Sequence, residues 1–167
     1  PFSVIFTPPS AEEKGTAFEM AEELIQILED IMEKNPNKFR LVKSPGEITN
    51  DKDIMQVVYG MENGAPIESK LSNIKLFSDM GINYITLAHS KSNHISDSSY
   101  DENKNWGGLS PFGREVVAEM NKQGVMIDIS HVSDAAFYEV LELTKTPVIA
   151  SHSSLRHFVP GFERNVS

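Results

Sequence analysis

"GVMIDISHVSD" (residues 124–134) decides how this chain is read. A run of strand-forming apolar residues, Val125, Met126, Ile127 and Ile129, ends on an imidazole, His131. "PVIASHSS" (147–154) then repeats the arrangement, another apolar run ending on His152. Between them Ser133 is placed to cap a helix whose Ala136, Phe137, Val140 and Leu141 recur at helical spacing. Before them Ser110 and Pro111 open a helix with Phe112, Val116, Val117 and Met120 on one face, and Gly124 closes it. The unit is strand, helix, strand, with the polar group at the carboxyl end of each strand.

Working outward, the same grammar recurs. "INYITLAHS" (82–90) reads as a strand ending at His89, and "IMQVVYGMEN" (54–63) as one ending at Glu62. "PIESKLSNIKLFSDMG" (66–81) reads as one helix with Ile67, Leu71, Ile74, Leu76 and Phe77 inward and Gly81 past its end. "FSVIFT" (2–7) is a first strand stopped by Pro8 and Pro9. Ser10 with Glu13 suggests a capping box for a long helix with Phe18, Ala21, Leu24, Ile25, Leu28, Ile31 and Met32 inward, stopped near Pro36. "FRLVKSPGEIT" (39–49) suggests an extended piece and a turn into a weak helix, and 147–152 is a last strand. Strands alternating with helices, and apolar on both faces, imply an α/β fold with a parallel sheet.

Composition narrows the function classes. A chain of 167 residues with 40% apolar and 23% charged residues is that of one globular domain. The net charge of -9 argues against a nucleic-acid partner, which wants a basic face. No apolar run approaches the roughly 18 residues of a transmembrane segment. With no cysteine, any metal site must be built from His, Asp and Glu. The compartment stays open between cytoplasm and export. The opening "PFSVIFTPPS" has neither an initiator Met nor the pattern of a signal peptide, and reads as the middle of a longer protein.

Glu62, His89, His131 and His152 all fall at strand carboxyl ends, the edge that carries the active site in parallel α/β folds. A lone histidine there is usually a hydrogen-bonded structural residue. Four groups at equivalent ends point to a metal or catalytic site, since imidazole and carboxylate suit zinc-like ions. His94 and His157 lack this placement and read as surface residues, and Asp128 as a buried carboxylate with a hydrogen-bond partner. Residues 90–109 form a long polar loop, of the kind usually functional or disordered, which Trp106 helps to fold. No P-loop, G-x-S-x-G, dinucleotide fingerprint or H-E-x-x-H is present.

"YITLAHSKSN" (84–93), "GLSPFGREVVAEMNKQGVMIDISHVS" (108–133), "PVIASHSS" (147–154) and "RNV" (164–166) together resemble the membrane (renal-type) dipeptidases, peptidase family M19. The resemblance implies a zinc-dependent dipeptidase on an amidohydrolase-like (β/α)8 TIM-type barrel. It implies that Glu62 bridges two Zn²⁺ ions, that His131 and His152 hold the second, that His89 stabilises the scissile carbonyl as a catalytic and substrate-binding group, and that Arg164 pairs with the carboxylate of a dipeptide substrate. Asn63 stands where the family commonly has glycine, and no H-x-D, the family's first-strand zinc motif, occurs anywhere. Residues 1–167 therefore read as a single incomplete barrel domain, its central portion, lacking the first strand and last units. Of two Zn²⁺ per complete enzyme, one or none is expected here. Two alternatives stand beside this: another metal-dependent hydrolase on the same barrel, such as a lactonase or deacylase, or a non-catalytic barrel segment that associates as a homo-oligomer or with other chains.

Overall fold

The computed structural model describes residues 1–166; Ser167 lies outside the described residues. Its elements are β1 (Phe2–Phe6), α1 (Pro9–Glu13), α2 (Ala17–Lys34), β2 (Phe39–Leu41), β3 (Met55–Glu62), α3 (Ser72–Asp79), β4 (Ile82–Thr86), α4 (Pro111–Gln123), β5 (Met126–Asp128) and α5 (Asp134–Leu143). Short 3-10 turns occupy Pro45–Glu47, Ala65–Ile67 and Arg156–Phe158. All strand pairings in the sheet are parallel, in the order β1-β3-β4-β5, with β2 alongside the first residues of β3. This is the α/β fold with a parallel sheet expected from the sequence, a partial (β/α)8 barrel whose sheet does not close among the described residues. No described helix is long and apolar enough to cross a membrane.

One core cluster joins sheet and helices. Tyr59, Met61, Ile85 and Ile127 of the strands pack with Ile74 and Phe77 of α3, Val116, Val117 and Met120 of α4, and Ala136 and Val140 of α5. Close approach demands glycine at position 60, where a Cβ would stand 2.0 Å from Cζ of Tyr84, whose ring lies across β3. The other side of β1 has no cover. Phe2, Val4 and Phe6 are exposed, with Phe2 edge-on to Tyr84 at 5.2 Å. They face the interior of the partial barrel, and a cavity there, lined by Phe2, Val4, Glu62, Tyr84, Ser151 and His152, opens onto the strand ends.

Several local expectations hold in detail. Ser110 caps α4, its hydroxyl accepting from the Gly113 N–H at 2.8 Å, and Ser133 caps α5 through the Ala136 N–H at 3.2 Å. Others are corrected. The first long helix is two helices, because Gly15 takes a left-handed conformation (φ 65°) between them. Ser10 does not cap: Pro8 is the residue before the first turn and Pro9 fills its first position. The helix expected over 66–81 is a 3-10 turn and a shorter α3, separated at Glu68, which has φ 53°. Leu76 and Leu141, expected inward, are exposed, as is Ile31. The last strand, 147–152, shrinks to a bridge at Ile149, which pairs with β5 but has no described strand on its outer side.

Candidate metal centre

The sheet register sets up the site. One row of paired residues crosses the carboxyl end: Phe6 with Glu62, Glu62 with Thr86, Thr86 with Asp128, and Asp128 with Ile149. Three positions beyond Thr86 is His89, three beyond Asp128 is His131, and three beyond Ile149 is His152. Equal offsets from one row bring the three imidazoles to the same height above the sheet, around the carboxylate that closes β3.

There the four side chains meet. Oε1 of Glu62 lies 3.1 Å from Nε2 of His131, 3.0 Å from Nε2 of His152 and 3.4 Å from Nε2 of His89. The Nε2 atoms of His131 and His152 are 2.7 Å apart. Nη2 of Arg164 stands 3.2 Å from His131 Nε2, while the guanidinium donates to Ser153 Oγ at 2.7 Å and to the His152 carbonyl at 3.0 Å. His131 is buried, whereas the His152 side chain is 45% exposed. Tyr100 overhangs the site, its ring 6.0 Å from that of His131.

The electrostatics prepare this cluster for a cation. The hydrogen bond with His131, helped by the neighbouring imidazoles, holds the Glu62 carboxyl below its ordinary range despite burial. Burial, then the other cationic groups, pushes His89 and His131 below the usual imidazole value, although Glu62 opposes this. At neutral pH Glu62 is thus a carboxylate beside uncharged His89 and His131, the form in which these groups ligate metals. Protons alone serve His131 Nε2 poorly. A proton on it would face the Arg164 N–H, and a bare lone pair would face the Glu62 oxygen. A tetrahedral zinc with ligands at about 2.0–2.1 Å sets donor atoms about 3.3 Å apart, close to the separations found here. Ligand atoms of Glu62, His89 and His131 all lie within 4.8 Å of one another. The residues therefore fit a metal ion.

What holds the cluster is partly the long loop. Far from loose, residues 90–109 fold around buried Asp97, which accepts from the N–H groups of Asn105 at 2.7 Å, Trp106 at 3.1 Å and Gly108 at 3.1 Å. Trp106 closes it by donating Nε1–H to the Asn93 carbonyl at 2.8 Å. The loop then grips two of the histidine segments: the Ser98 hydroxyl donates to the His89 carbonyl, and the Ser99 N–H to the His131 carbonyl at 2.7 Å. Asn63 explains how a non-glycine residue serves after Glu62. It adopts φ 81°, which asparagine tolerates, and its side chain donates to the Thr7 carbonyl at 2.9 Å and accepts from Asn93 at 3.0 Å.

Asp128 is buried and hydrogen-bonded, as expected, to Thr86, Ser130 and Ser151. His157 is exposed. His94 corrects its reading as a surface residue: it is half-buried, with Nδ1 2.7 Å from Glu12 Oε1, tying the loop to α1. Reading the sequence also missed Ser98, Ser99 and Ser151, since a serine in a polar loop carries no signal until the fold gives it a partner.

A family model described as membrane dipeptidase (peptidase family M19) matches residues 1–167. Dipeptidase tcpJ of Claviceps purpurea is 35% identical over 150 residues, covering 85% of this chain and 34% of that protein. Dipeptidase 3 of Homo sapiens is 35% identical over 145 residues, covering 84% and 29%. Among solved structures, the probable dipeptidase PvdM from Pseudomonas aeruginosa superposes with a TM-score of 0.85 at 28% identity, over 96% of this chain and 41% of that one. The chain thus spans about a third of the length of the curated relatives it matches.

Proposed function

The chain belongs to the membrane dipeptidase family, peptidase family M19, and from that premise we propose that the protein it represents is a zinc-dependent dipeptidase. The convergence of Glu62, His89, His131 and His152 at one sheet edge carries this reading. Nitrogen and carboxylate donors without sulfur favour zinc over softer alternatives. Glu62, His131 and His152 would hold it, with Glu62 offering its second oxygen to another ion of a complete centre. When bound, zinc supplies an activated water for hydrolysis at neutral pH.

The chain's own residues do the rest. His89 reaches the same carboxylate at 3.4 Å and its ring lies, tilted, 4.2 Å from that of His131, so it borders the reacting centre. As a donor it would stabilise charge developing on the scissile carbonyl. Arg164, whose Nη2 stands 3.2 Å from His131 Nε2, offers a planar fork for the terminal carboxylate of a dipeptide. A cation at that distance from the centre favours substrates with a free carboxylate close to the scissile bond. The test is His131→Ala in the full-length protein. Zinc content, by elemental analysis, and dipeptide hydrolysis are expected to fall together. Retained zinc with full activity would end the assignment.

A further inference from the structure

We propose that Asp128 and Ser151 form a positioning relay that fixes the tautomer of His152 and so aims its Nε2 lone pair into the metal centre; the inference rests on the metal-binding reading above. Asp128 is fully buried at the end of β5. One of its oxygens, Oδ2, accepts from Thr86 Oγ1 at 2.6 Å and from Ser151 Oγ at 2.6 Å. The other accepts from the N–H groups of Ser130 at 3.1 Å and Ser151 at 3.0 Å. Four donors fill the roughly four lone-pair sites a carboxylate offers.

A serine hydroxyl has one proton, and here Asp128 takes it. The same oxygen sits 2.7 Å from Nδ1 of His152. That contact is satisfied when the ring nitrogen donates, which places the imidazole proton on Nδ1. Nε2 is then bare, and it is the atom 3.0 Å from Glu62 Oε1 and 2.7 Å from His131 Nε2. Metal-ligating histidines commonly donate their other N–H directly to a carboxylate or carbonyl, which orients the ring and raises its basicity. Here a serine stands between. The device is particular to His152: Nδ1 of His89 and Nδ1 of His131 are buried with no hydrogen-bond partner among the described residues. His152 is also the histidine that needs it, being the most exposed of the three and following a one-residue bridge rather than a full strand.

The tautomer is read first, by nitrogen-15 NMR of the histidine-labelled full-length protein stripped of metal, at a pH above imidazole protonation. His152 is expected as the Nδ1–H form in the wild type and to move toward Nε2–H in Ser151→Ala. Zinc affinity, measured by competition with a chromophoric chelator, is expected to drop about 10–100-fold in Ser151→Ala and to recover in Ser151→Thr, which restores the hydroxyl. An Nε2–H tautomer in the wild type overturns the relay, as does wild-type zinc affinity in Ser151→Ala. Should Ser151→Ala fail to fold, the wild-type tautomer alone decides. A full-length wild type that takes up no zinc sinks the metal reading instead, since the tautomer is determined without metal.

Discussion

Glu62 and His152 are delivered to the same centre by opposite means. Glu62 closes an eight-residue strand paired with neighbours on both sides, and its place is set by backbone ladders and by side chains packed beneath them. His152 follows a single bridge at Ile149, is half exposed, and is set by hydrogen bonds to Ser151 and Ser130. The centre of the sheet fixes a side chain through burial. Its margin must do so through polar contacts that each contribute about 1 kcal/mol net.

The contrast can be broken by matched truncations. Ile85→Ala, in the fully buried middle of β4, is expected to cost about 2–5 kcal/mol. Ile149→Ala, half-buried at the margin, should cost no more than about half as much. Urea denaturation of both variants measures the difference, and equal losses would mean that the margin is as firmly built as the centre. The loop over the site comes next in size. Asp97→Ala removes the charged acceptor of the N–H groups of Asn105, Trp106 and Gly108, at a cost of about 2–3 kcal/mol. Limited proteolysis should then cut within residues 98–108 first; unchanged protease resistance would show that the loop is held by other contacts. Smallest is Ser133→Ala, which removes the cap of α5 and should lower stability by about 1 kcal/mol. A thermal melt shift in Ser133→Ala as large as that of Ile85→Ala would contradict the ranking.

The sequence displays the fold where periodicity and turn chemistry are local. The caps at Ser110 and Ser133, the strand end at Glu62, and the helical faces of α4 and α5 needed nothing beyond their neighbours, whereas β5 stops at Asp128, three residues short of the expected end at His131. It misleads where a backbone choice depends on distant packing. Ser10 with Glu13 matches a capping box, yet the chain turns at Pro8, and the left-handed residues Gly15 and Glu68 divide what spacing presents as continuous helices. The final strand is apolar enough to be one but finds a ladder on one side only. The site followed the same rule. Its ligating types stand out at strand ends, while the groups that orient them, such as Ser98, Ser99 and Ser151, are chemically ordinary and acquire a role through contacts across long stretches of chain.

His131 itself sits at φ 69°, a conformation that a branched ring side chain adopts at some cost and glycine adopts freely. The chain therefore tolerates at this position a backbone that its own side chain disfavours. For anyone engineering this protein, position 131 is where optimisation for folding and optimisation for chemistry part company. A redesign scored on stability alone would write glycine there, improve the turn, and remove the imidazole around which Glu62, His89 and His152 are gathered.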